Sequence, residues 1–136
     1  MATLTSNAAA GSAPTKAIHA GVQAATEDYT VSTTLATGDI IQMVKVPKGA
    51  RIIGGHVAFN LTGTPNLPFS LGDGGDADRF MTSTTVNSTA AFQAFNSSVM
   101  DHDYTDDDTI DLTVGTVTAA PTGGTITVTV LYQMDS

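Results

Sequence analysis

The chain has 136 residues, 13 acidic against 5 basic side chains and a formal net charge of -8, a size that suits one domain with one core and a charge that repels duplex DNA and anionic membranes. It contains no Cys, which excludes disulfides, thiolate metal sites and a Cys nucleophile. No apolar run approaches the roughly 20 residues a membrane helix needs, and MATLTSNAAAGSAPTK (1–16) lacks the basic start and apolar stretch of a secretory signal, so the expectation is a soluble, unexported protein with no nucleic-acid or membrane partner.

Residues 1–25 are expected to form a flexible N-terminal arm ahead of a single domain over 26–136. The first 20 are mostly Ala, Thr, Ser, Gly and Asn and offer little apolar surface to offset the entropy of ordering them. Such an arm gains order on a partner, and Thr3, Leu4, Thr15 and Lys16 are its candidate partner contacts.

From Asp28 the pattern becomes short β-rich runs between turn signals. DYTVSTTLA (28–36) alternates, TGD turns the chain into IIQMVKV (40–46), and PKGA turns it again. In RIIGGHVAFNL (51–61), Ile53, Val57, Phe59 and Leu61 share one parity and predict an apolar face, while Gly54 and Gly55 predict a bulge or a close backbone approach. TGTPNLP (62–68) reads as loop because of its prolines, and FSL (69–71) as a short strand. TSTTVNSTAAFQAFNSSVM (82–100) allows one helical turn around Phe92 and Phe95, while its flanking Thr, Ser and Asn favour loop or edge strand, and both readings stay open.

The last third alternates cleanly. Ile110, Leu112 and Val114 share one face, then Ile126, Val128, Val130, Tyr132 and Met134 another, with PTGG (121–124) turning between them. The final strand is expected to be central. Seven or eight short strands without a convincing helix predict an all-β fold, an antiparallel β-sandwich of jelly-roll-like type with an extended N-terminal arm.

Two acidic stretches invite chemistry. In LGDGGDADRF (71–80), Asp73, Asp76 and Asp78 suggest a calcium loop, because hard cations want several oxygen ligands. The spacing fails the EF-hand pattern, since a frame starting at Asp76 puts Phe80 where an oxygen ligand belongs. The competing reading is a structural turn: Asp side chains cap backbone N–H groups, glycines supply unusual backbone angles, Arg79 pairs with one Asp, and Leu71 and Phe80 anchor the ends in the core. In DHDYTDDDT (101–109), Asp101, Asp103, Asp106, Asp107 and Asp108 crowd around His102, which predicts a solvated loop, with a metal site shared between the two motifs as the alternative. No serine sits in a G-x-S-x-G setting, the only Glu is Glu27, and Trp is absent; no catalytic residue is assigned and the protein is expected not to be an enzyme.

The order of turns, VPKGARIIGG (46–55), LGDGGDADRF (71–80) and TIDLTVGTVTAAPTGGTITVTVLY (109–132), resembles a pattern in small tailed-phage virion proteins, β-rich head proteins that include capsid decoration or cement proteins. It carries over scaffold positions only: Pro47 and Gly49 in the first turn, Gly72, Asp73, Asp78, Arg79 and Phe80 in the second, and Gly124, Ile126, Val128, Val130 and Tyr132 in the last strand. The resemblance implies a non-enzymatic protein made in the host cytoplasm and bound to the capsid exterior, with the major capsid protein as partner, self-association as a homotrimer and a terminal arm gripping the shell. The alternative is a calcium-dependent binding module or a tail- or fibre-associated virion protein. No other cofactor is expected.

Overall fold

The computed structural model describes residues 2–6, 21–96 and 102–134. Within them the chain forms ten strands and no helix: β1 (Thr3–Thr5), β2 (Val22–Thr30), β3 (Ile40–Val46), β4 (Ala50–Thr62), β5 (Leu67–Gly72), β6 (Met81–Val86), β7 (Ala90–Ala94), β8 (His102–Asp103), β9 (Asp108–Val114) and β10 (Gly123–Met134). They make two sheets, β1-β3-β9-β5-β6 (sheet A) and β2-β10-β4-β7 (sheet B), with β8 pairing the start of β4. All ladders are antiparallel except β1 with β3. The architecture is an all-β sandwich.

The period-2 pattern explains the core. Ile110, Leu112 and Val114 of β9 and Ile126, Val128 and Val130 of β10 are essentially inaccessible to solvent, and each contributes about 1.5–3 kcal/mol of gross burial free energy. Phe59 of β4 meets Phe69 of β5 across the sandwich at 4.8 Å between ring centroids, which fastens one sheet to the other. As expected from its continuous alternation, β10 is a central strand, flanked by β2 and β4.

Four local expectations change. The first domain strand is Val22–Thr30, six residues earlier than DYTVSTTLA, because Val31 and Leu35 leave the strand and turn into the core as the chain crosses from sheet B to sheet A. β2 and β3 are therefore in different sheets, not a hairpin, and the same holds for β9 and β10. Ile53 is off the buried face, which is built from Ile52, Val57, Phe59 and Leu61. The cause is a bulge: Leu131 faces Gly54 while Tyr132 faces Ile52, so Ile53 is the extra residue and parity flips there. Gly55, just beyond it, has no room for a Cβ, which would overlap the Phe95 ring and lie 2.7 Å from the Thr129 carbonyl oxygen; bulge and close approach are both present.

Pro68 lies inside β5, not in the preceding loop. It is the second residue of the strand, just beyond the β5–β9 ladder, and its carbonyl accepts from Gly115 N. The described part of the open segment, 82–96, contains most of β6 and all of β7, an edge strand in each sheet, while 97–100 lie outside the described residues. Phe95 enters the core and stacks on Phe80 at 5.0 Å.

Candidate functional site

The two acidic stretches meet at one end of the sandwich. LGDGGDADRF runs from the end of β5 through the loop that leads to β6, and the loop between β8 and β9 holds 104–107. Leu71 and Phe80 are fully buried and hydrogen-bonded to each other, Phe80 N to Leu71 O at 2.8 Å, so the motif is pinned at both ends as expected.

Its centre is Asp73, which is 5% exposed. One carboxylate oxygen accepts from the backbone N–H groups of Gly75 and Asp76, both at 3.0 Å. The other accepts from Arg79 Nε at 2.6 Å and from the Tyr104 hydroxyl at 2.8 Å, with Arg79 Nη2 adding a longer bond of 3.3 Å to the first. Burial pushes the Asp73 carboxyl up, but the hydrogen bonds from Arg79, Tyr104 and Gly75 outweigh it and hold the group below the usual carboxylate range. Tyr104 shows the converse: burial, then the Asp73 charge and hydrogen bond, push its phenol far up, so it stays a donor. This cluster ties the two loops together, and Gly74 N donating to Asp108 Oδ2 at 3.3 Å ties them again.

The glycines serve a different purpose from the one expected. Gly72, Gly74 and Gly75 are absent from the positive-φ set, which is Gly38, Gly49, Gly63 and Gly124. Gly72 is required by space: a Cβ there would overlap the Asp76 carbonyl oxygen and the Ala77 backbone as the loop folds back on itself.

The expected calcium ligands are not presented to a common point. Asp73 has its oxygens engaged by protein donors, Asp76 Oδ1 accepts from Asp78 N at 3.2 Å, and Asp78 is fully exposed, its carboxyl raised by the Asp76 side chain. Among the described residues no group of three or more His, Asp or Glu is arranged to hold a metal ion. His102 stands 3.8 Å from Asp73 and edge-on to Tyr104 at 4.9 Å between ring centroids, so it packs against the cluster. Of the second stretch, Asp103 pairs with Arg51 at 3.2 Å, Asp107 accepts from Lys48 N at 2.7 Å, and Asp101 lies outside the described residues. A cleft of about 240 Å³ separates Arg79 and His102 from Asp106 and Asp107; it is a solvated acidic rim in which Thr105 is the only hydroxyl group besides Tyr104.

A second surface is unlike the first. Pairing register puts Val22, Ala24, Thr26 and Asp28 of β2, Thr125, Thr127, Thr129 and Leu131 of β10, His56 and Ala58 of β4 and Phe92 of β7 on the outer face of sheet B. Phe92 (65% exposed), Val22 (61%) and Leu131 (37%) are the large exposed hydrophobics among the described residues, and all three lie on this face. Phe92 leans on His56 at 4.8 Å, and the threonines are linked sideways, Thr26 to Thr129 at 3.0 Å and Thr127 to Asp28 at 2.7 Å. Besides Asp28, the same register brings the Arg51–Asp103 ion pair to one end of this face; the stretch between, from Phe92 across His56 and Thr129 to Ala24, carries no carboxylate, Lys or Arg, a depletion of charge shared with the centres of interaction faces. In the sequence this face is the alternating threonines of β10, Thr125, Thr127 and Thr129, opposite its buried aliphatic residues.

Of the candidate partner contacts, Thr3 and Leu4 lie in β1 on the edge of sheet A, whereas Thr15 and Lys16 lie outside the described residues.

No protein-family model matches the sequence, and no curated protein matches it significantly. The fold, however, is that of chains found in phage capsids. It superposes on a chain in the capsid of Ralstonia phage GP4 with a TM-score of 0.82 and 20% identity over 98% of this chain and 99% of that one. A chain in the cyanophage Pam1 capsid asymmetric unit matches at TM-score 0.70 and 21% identity over 95% and 97% of the two chains, and one in the acid-stable capsid of Helicobacter pylori bacteriophage KHP30 at 0.54 and 16% over 85% and 95%. The resemblance seen in the turns is met at the level of the fold.

Proposed function

We propose that this protein is a non-enzymatic structural component of a phage virion, a decoration or cement protein that binds the outer surface of the capsid and stabilises it. The observation that carries the reading is the end-to-end match to the Ralstonia phage GP4 capsid chain. Both chains are used almost whole, so that chain is itself a small one-domain protein, and a sandwich of this size suits an accessory component. The Asp73 carboxylate is taken up in holding two loops together.

The partner is the major capsid protein, and the copies associate with one another as trimers on the lattice. The outer face of sheet B is the surface offered to the shell: its apolar side chains are exposed while the net negative charge gathers in the acidic loops at one end. The test is co-sedimentation of the purified protein with capsids that lack it. The parent chain should pellet with the shells, and Phe92→Asp with Leu131→Asp should lower the apparent affinity by about tenfold or more without lowering the melting temperature. Failure of the parent chain to bind refutes the function; equal binding by the double variant refutes the choice of face.

A further inference from the structure

Strand β1 occupies a slot on the edge of sheet A that is built with more care than a frayed terminus needs. Thr3, Leu4 and Thr5 pair in parallel with Ile40, Ile41 and Gln42. Beyond the ladder, Ile40 N donates to Ala2 O and Ser6 N to Gln42 O, both at 2.8 Å. Ala2 N donates to Asp39 Oδ1 at 3.1 Å, the Ser6 hydroxyl donates to Met43 O, and Leu4 packs against the core. Asp39 is 6% exposed and Ser6 1%. With β1 withdrawn, a buried carboxylate oxygen and the backbone groups of Ile40, Gln42 and Met43 lose their partners, which is costly wherever water cannot replace them. The slot therefore selects a strand of this sequence.

The length of the connector allows a second copy to supply the strand. Residues 7–20, NAAAGSAPTKAIHA, separate β1 from β2, and connections longer than about 12 residues are uncommon inside compact domains. The gap to be bridged lies at one end of the sandwich: Ser6 sits beside Met43 in β3, β3 leads through a short turn to Ala50, Ala50 pairs with Met134, and the neighbouring Gln133 pairs with Val22. Fully extended, such a connector reaches about 46–50 Å, whereas a domain of this size is about 35–40 Å across. It is long enough to carry β1 to the next molecule, and the same hydrogen bonds form whichever copy donates the strand.

We propose that in the associated protein the β3 slot of each copy is filled by residues 2–6 of a second copy, so that the N-terminal strand is exchanged between neighbours. The exchange stands apart from the capsid reading, since the slot and the connector would act in any assembly of this chain, and its test uses no capsid.

The absence of Cys from the chain makes the test clean. Thr5→Cys and Gln42→Cys, ladder partners, are placed in separate copies carrying C-terminal tags of different mass, co-expressed and mildly oxidised. A disulfide joining position 5 of one copy to position 42 of the other is expected at about tenfold or more above a pairing of Thr5→Cys with Thr82→Cys on the far edge strand, reflecting the high effective concentration of a seated strand. Both substitutions in one chain, and the second ladder pair Thr3→Cys with Ile40→Cys, serve as references for geometry and folding. An intrachain bridge with no intermolecular one overturns the proposal, and so does the lack of any bridge in all arrangements, which would mean that β1 does not occupy the slot.

Discussion

The Asp73 cluster can be tested quantitatively with Asp73→Asn, which keeps the shape of the side chain and removes its charge. With the remaining oxygen on Gly75 and Asp76, the new amide faces Arg79 Nε, which cannot accept, and the Tyr104 hydroxyl, which must turn to accept, so two bonds of 2.6 and 2.8 Å to a charged oxygen are lost. A hydrogen bond to a charged group contributes about 1.5–3 kcal/mol, and a buried donor left without an acceptor costs a further 1–3. Arg79 is 25% exposed in its side chain and can turn to water, which keeps the total below the roughly 3–5 kcal/mol of a fully buried broken pair; about 3 kcal/mol is expected. Unfolding entropy of about 2.1 cal/mol/K per residue converts this to a fall in melting temperature of about 10 °C. The carboxyl is held below its ordinary value of 3.8, so the stability it contributes is full above that value and disappears as pH falls through the folded-state value; the gap between parent and variant should close in acid. Circular-dichroism melts at pH 7 and at a descending series of acid pH values read both effects. A variant within 2 °C of the parent at pH 7 would refute the view that Asp73 holds the loops together.

Three other outcomes follow from neighbouring residues. The Asp111 carboxyl is pushed up to about 6, by burial first and then by Asp108 and Asp73, against the opposing hydrogen bond from Thr109; a folded value above the unfolded one means ionisation works against folding, with no penalty below 3.8 and a full one above 6. Asp111→Asn should thus be more stable than the parent by about 1–3 kcal/mol at pH 7.5 and equal to it at pH 3.5, measured by urea titration. Gly72→Ala should cost more than about 2 kcal/mol, because its Cβ meets backbone that cannot yield; a melt unchanged from the parent would show that the loop is looser than drawn. Millimolar calcium should leave the parent's melting temperature where it is, since the Asp73 oxygens already have protein donors, whereas a rise of several degrees lost on Asp76→Ala would establish a cation site.

What was legible in the sequence was whatever depends on period and on turn chemistry. The alternation in β9 and β10 fixed their faces and the central place of β10, and Leu71, Phe80 and Arg79 took the roles their spacing suggested. What was not legible depends on which sheet a strand joins. Nothing local distinguishes a hairpin from a crossing between sheets, so β2 and β3 looked like neighbours until the buried Val31 and Leu35 showed the chain passing through the core edge. A bulge defeats parity in the same way, since one extra residue at Ile53 moves every position on its N-terminal side to the other face. Asp73 was one of three similar carboxylates in sequence; its burial comes from Tyr104, 31 residues away.

The sandwich spends its polar chemistry internally. Asp73 is enclosed by donors from its own loop and from Tyr104, Asp39 by the amides of Ala36 and Ala2, and among the described residues no buried side-chain oxygen or nitrogen is left without a partner. Two features of the exterior carry the proposals: the apolar side chains on the outer face of sheet B, and on sheet A an edge completed by β1. The proposed docking face and the proposed strand exchange can be tested apart, because Phe92 and Leu131 lie on sheet B and the β1 slot lies on sheet A.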